Sequence, residues 1–123
     1  MATQHLRPVS KSFEDLEVWQ KSKHLCVEVC KKFKASADRA FRDQVTRAAL
    51  SIPSNIAEGA ERTPKPEFRQ FLGYAKGSAG EVRTQIIVAV DLGYLTIEEG
   101  QILRRQLETI SRMLFGLIRS MKE

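Results

Sequence analysis

The residues best suited to chemistry stand on two segments near the middle of the chain. Arg47, Asn55 and Glu58 lie in one stretch of helical character, and Ser78 and Glu81 lie in the next. The spacing from Arg47 to Glu58 is about three turns of an α-helix, so these side chains share one side of it. A guanidinium between carboxylates, with an amide and a hydroxyl nearby, could bind an anion or pass a proton. The same five residues could instead form a buried hydrogen-bonded network that fixes helix register, with Arg47 between carboxylates. Such a network is costly unless every member is satisfied, but it can specify one packing. The structural role is the expectation.

The basic residues offer different chemistry. Arg105, Arg112 and Arg119 recur every seven residues. On a helix they stand about 10 Å apart along one side, a spacing suited to phosphates. The alternative is a solvated face with local pairs, because Glu108 lies four residues before Arg112 and Glu123 four after Arg119. A second basic group comprises Lys31, Lys32, Lys34, Arg39 and Arg42, partly compensated by Glu28 and Asp38. With 20 Lys and Arg against 15 Asp and Glu, the chain carries +5, which permits attraction to a nucleic acid without requiring it. No interleaved aromatic residues and no known nucleic-acid motif accompany the charges.

Other chemistries find little support. Di-iron sites in helical bundles need Glu-x-x-His pairs, and neither His5 nor His24 lies three residues after a glutamate. No glycine-rich phosphate loop with its lysine is present. Cys26 and Cys30 are one helical turn apart, a poor geometry for a disulfide, and read as two reduced, half-buried core thiols. No metal, cofactor or catalytic residue is expected.

The elements that position these residues are helices. Residues 1–12 lack periodicity and are expected to be a flexible tail before one domain over 13–123. No apolar run reaches the roughly 18 residues of a membrane span, and the N-terminus has no signal-peptide core, so a cytoplasmic protein is expected. A first helix is predicted from near Glu14, capped by Ser12, with Leu16, Trp19, Cys26, Val29 and Phe33 as its apolar stripe. A second runs from about Asp38 to Glu61 and buries Phe41, Val45, Ala48, Ala49, Ile52 and Ile56. Pro53 should bend it without splitting it, with Ser51 and Ser54 bonding to the freed backbone groups. Thr63 as N-cap and Pro64 at the first helical position open a third helix that ends near Leu92, before Gly93. Thr96 caps the last, whose Leu103, Leu107, Ile110, Leu114, Leu117 and Met121 form a heptad seam. Short connections favour an all-α, antiparallel up-down-up-down four-helix bundle with a kinked second helix. Ile102, Met113, Phe115 and Ile118 widen the last apolar face beyond the needs of one core, which suggests contact between subunits. Gly73, Gly77 and Gly80 leave the third helix bare, as if another backbone came close.

Three stretches resemble the family of intervening-sequence proteins of bacterial 23S rRNA genes, also called four helix bundle proteins. They are Phe13-Glu14-Asp15-Leu16-Glu17-Val18-Trp19-Gln20-Lys21, Gln44 through Gly59 with Ser51-Ile52-Pro53-Ser54-Asn55-Ile56-Ala57-Glu58-Gly59 at its heart, and Phe71 through Glu81. Leu92-Gly93-Tyr94-Leu95 completes the pattern. The chain departs from it at Thr46, where a basic residue is more usual, and at Gly80, where an aliphatic one is. The resemblance implies the subunit of a ring-shaped homopentamer without catalytic residues. Related accessory proteins of diversity-generating retroelements form similar barrels that bind nucleic acid and a reverse transcriptase. The expected function is therefore a non-enzymatic oligomer that binds structured RNA or DNA through Lys31, Lys32, Lys34, Arg39, Arg42, Arg105, Arg112 and Arg119. The alternative is a scaffold that docks a protein partner on the apolar surface of the last helix.

Overall fold

Residues 12–62 and 64–121 are described by the structure, a computed structural model. The tail expected over 1–12 lies outside them except for Ser12, as does the proposed cap Thr63. Four α-helices follow a short 3-10 turn: α1 Glu17–Phe33, α2 Arg39–Glu61, α3 Lys65–Asp91 and α4 Ile97–Ser120. Each packs against two neighbours around a square, α1 and α3 both on α2 and α4, in an up-down-up-down four-helix bundle.

The first helix begins later than its periodicity suggests. Ser12 does cap, accepting the Glu14 N–H at 3.0 Å, but it caps the 3-10 turn Phe13–Asp15. Leu16 is then extended, and α1 starts at Glu17. The Phe13 ring meets the edge of Trp19 at 5.2 Å, and the Gln20 side chain donates to the Glu14 carbonyl at 2.8 Å, so the turn folds back onto α1. The buried side of α1 also includes Val18, Ser22 and Leu25.

Asp38 opens α2 by accepting the Phe41 N–H at 3.1 Å. The helix continues through Pro53, which is itself buried. Ser51 donates to the Ala48 carbonyl at 2.7 Å and the Asn55 amide donates to the Ser51 carbonyl at 2.8 Å, while Ser54 is exposed and makes no such bond. Pro64, not Thr63, is the N-cap of α3, and the proline inside its first turn is Pro66. At the other end Gly93 adopts a left-handed φ of +81°, which other residues rarely tolerate, and turns the chain toward α4. Thr96 and Glu99 form a reciprocal capping box. The Thr96 N–H and the neighbouring Lys32 hold the Glu99 carboxyl below the usual carboxylate range.

The seam between α2 and α3 is the tightest of the four. Ala48 and Ala49 are buried on α2, and Ala75 and Ala79 are buried on α3. Gly59 completes it: a Cβ there would lie 2.7 Å from the Cβ of Phe71 and 3.0 Å from the Phe68 ring. Gly59 therefore permits the close contact of the two helices. Gly59→Ala should cost about 1–3 kcal/mol by forcing the helices apart, read as a lower urea midpoint at unchanged slope. An unchanged midpoint would show that the seam yields freely.

Where the helix connections meet, the Tyr94 hydroxyl donates to Asp38 Oδ2 at 2.6 Å, and its ring packs edge-on against Phe41. These bonds, Tyr94 first and the Phe41 N–H second, hold the Asp38 carboxyl below its ordinary range. The unfolded chain then binds the proton more tightly, so this contact stabilises the fold above about pH 4 and is lost as pH falls through the lower folded value. The urea midpoint should accordingly drop on acidification from neutrality. In Tyr94→Phe the drop should be smaller; equal drops in both proteins would contradict this role for the pair.

Candidate nucleic-acid interface

The seam of α4 decides where its arginines point. Leu103, Leu107, Ile110 and Leu114 are buried, with Leu117 and Met121 packed at the edge of the core. Arg105, Arg112 and Arg119 lie on the opposite side and are all exposed. Among the described residues none of the three forms an ion pair. The expected local pair of Glu108 with Arg112 is absent, because Glu108 reaches across to Arg83 of α3 at 3.6 Å. Glu123, the other expected partner, lies outside the described residues. Arg119 stacks over the Phe115 ring at 5.7 Å. Ile102 and Phe115 are exposed, whereas Met113 and Ile118 pack against the core.

The second basic group gathers at the junction of α1 and α2. Lys31, Lys34 and Arg39 are exposed and unpaired among the described residues. Lys32 bridges to Glu99 at 3.5 Å, and half-buried Arg42 reaches Asp43 at 3.6 Å and the Ser36 carbonyl at 3.4 Å. Glu28 lies 4.0 Å from His24, and Asp38 is engaged by Tyr94 and Phe41, so neither is paired with this group. Cys30, Lys31, Lys34, Arg42 and Thr46 line one shallow hollow. The two groups remain separate surfaces, one on the α1–α2 edge and one along the outward face of α4.

The five-residue polar network does not assemble as expected. Arg47, Glu58 and Glu81 are exposed, Asn55 bonds within its own helix, and Glu58 pairs with Arg62 at 3.2 Å. Ser78 alone makes a cross-helix bond, a hydroxyl–hydroxyl contact of 2.7 Å with Ser51, whose own proton goes to the Ala48 carbonyl. The apolar residues Val45, Ala49, Ile52 and Ile56 occupy the inward side of α2 and leave Arg47 and Glu58 facing out. Among the described residues no group of three or more His, Cys, Asp or Glu gathers to hold a metal ion.

A groove that the periodicity does not reveal lies between α1 and α4, the loosest seam in the bundle. It is open, has a volume of about 390 Å³, and is lined by exposed Glu17, Gln20, Lys21 and His24 of α1 and by Gln106, Thr109 and Ile110 of α4. Gln106 Oε1 is buried and has no hydrogen-bond partner among the described residues. The sequence did carry a signal, since Gln106 and Thr109 flank the seam residues Leu107 and Ile110.

The sequence model of the 23S rRNA-intervening sequence proteins matches residues 14–116. The chain belongs to that family. It is also similar to a crystal structure from Bacteroides thetaiotaomicron, described as a protein with unknown function from the S23 ribosomal protein family. The two share 22% identity at a TM-score of 0.77, over 82% of this chain and 97% of that one. That likeness is one of fold. No curated protein matches the chain. No described helix is long and apolar enough to cross a membrane.

The thiols differ from the expected half-buried pair. Cys26 is buried and Cys30 is exposed. Burial first, and the neighbouring Cys30 second, push the Cys26 thiol up to about 11. Iodoacetamide at neutral pH should alkylate Cys30 in the folded protein and reach Cys26 only after urea is added. Equal labelling of both in native buffer, followed by mass spectrometry, would contradict this placement.

Proposed function

We propose that the chain acts as a non-enzymatic cytoplasmic homo-oligomer, a pentamer, that binds structured RNA or DNA through phosphate contacts. The observation that carries this reading is the row of three exposed arginines on α4 without acidic partners among the described residues. Guanidinium groups spaced along a rigid helix present fixed, forked donors to successive phosphates. Lys31, Lys32, Lys34, Arg39 and Arg42 supply a second surface of the same sign. The pentamer rests on the family pattern, and two observations support assembly. Leu50, Ile97, Ile102 and Phe115 are each about half exposed or more. A Cβ at Gly73, Gly77 or Gly80 would meet nothing within 4 Å. The half-exposed Ile102 and Phe115 also favour a second reading, in which α4 docks a protein partner.

Electrophoretic shift titrations across a range of salt concentrations test the first reading, with light scattering to count subunits. Binding should be tight at low salt, weakly sequence-selective, and steeply salt-dependent. Changing Arg105, Arg112 and Arg119 to Gln should flatten the logarithmic salt slope by about 2–3, because each arginine of a bound subunit neutralises about one phosphate. A folded oligomer that shifts no nucleic acid at low salt would end this reading and leave the docking scaffold.

A further inference from the structure

We propose that the groove between α1 and α4 receives an unpaired base of the nucleic acid whose phosphates lie on the arginine row. This rests on the phosphate-binding reading above and adds what that reading lacks, a seat for something other than charge. Thr109 lies four residues after Arg105 and three before Arg112, so the three side chains are neighbours on the surface of α4. Thr109 also lines the groove, and its hydroxyl donates to the Arg105 carbonyl at 3.2 Å. A strand following the arginines therefore passes directly along the groove's edge.

The lining suits a base rather than a phosphate. Glu17 and Lys21 neutralise one another at 3.8 Å, so the groove has no net positive charge of its own. Gln20 and Gln106 both line it; Gln20 Nε2 already donates to the Glu14 carbonyl at 2.8 Å, which leaves its second N–H and its oxygen for a base edge. His24 is exposed beside them and supplies a flat ring for stacking. Gln106 Oε1 is the one groove atom that is buried and unpartnered among the described residues; Gln85 Oε1 and Arg104 Nε, the other such atoms, lie elsewhere. An acceptor left so costs about 1–3 kcal/mol, and rotation of the Gln106 side chain toward the groove would bring it to the exocyclic amine of adenine, cytosine or guanine. The volume, about 390 Å³, falls within the range of small-ligand sites. A base still stacked in a duplex cannot enter, whereas one splayed from a loop can.

The test compares two fluorescein-labelled RNAs at low salt, a hairpin with an adenine-rich loop and a blunt duplex of equal length. The wild-type oligomer should bind the hairpin more tightly. Gln106→Leu and His24→Ala should each weaken hairpin binding about tenfold and leave duplex binding unchanged. His24 is solvent-facing, so its variant reports even if Gln106→Leu unfolds. Hairpin and duplex affinities that stay wild-type in His24→Ala and in folded Gln106→Leu overturn the groove while sparing the arginine row. Failure of the wild type to bind either RNA removes the underlying reading as well.

Discussion

The closeness of α2 and α3 governs the rest of this bundle. Four alanines, Ala48, Ala49, Ala75 and Ala79, together with Gly59, let the two backbones approach, and the Ser51–Ser78 hydrogen bond at 2.7 Å closes the outer edge of the contact. In a square of four helices the seam opposite this one joins α1 to α4. There α1 contributes Leu25, Val29 and Phe33 and α4 contributes Leu103, Leu107, Ile110 and Leu114, while Ile52, Ile56, Leu72 and Ile86 fill the core from α2 and α3. Gly59 draws α2 and α3 together at their contact, and α1 and α4 meet less closely along the groove.

The exposed charge has an equally simple origin. The heptad that places Leu103, Ile110 and Leu117 against the core sets Arg105, Arg112 and Arg119 two residues later, on the outward side. Seam and row are one periodicity seen from opposite sides of a helix. What makes the row chemically available is a separate event. Glu108 lies toward α3 and pairs with Arg83, so its carboxylate ties two helices together instead of neutralising Arg112. An i,i+4 pair contributes only about 0.2–0.5 kcal/mol, no more than an exposed pair between helices, so Glu108 is free to take either partner and here takes Arg83.

Much of this architecture was legible in the residues. Thr96 with Glu99, Gly93 after α3, and the seam of α4 all do what their types and spacing dictate. The departures share one cause, the difference between sharing a side and facing inward. Arg47 and Glu58 do share a side of α2, but Val45, Ala49, Ile52 and Ile56 had already taken the interior. The late start of α1 was hidden because Leu16 fits a helical stripe and an extended cap equally well. The role of Gly59 is not legible in the sequence, which does not reveal which neighbour a missing side chain admits. The groove was hardest to see, since it arises from the spacing of two helices distant along the chain.

The glycines sort into two kinds, and the distinction bears on assembly. At Gly59 and Gly100 a Cβ would collide with Phe71 or Val90, at 2.7 and 2.5 Å, so packing within the chain requires them. At Gly73, Gly77 and Gly80 nothing lies within 4 Å, and each still lowers helix propensity by about 1 kcal/mol against alanine. Within one subunit nothing offsets that cost. A closed ring with an odd number of subunits must join two different faces, because a two-fold contact pairs a face with itself and stops at a dimer. If the bare face of α3 is one of them, the other is a different surface, and Leu50 on α2, Val27 on α1 and Ile97, Ile102 and Phe115 on α4 are exposed apolar side chains that it could cover.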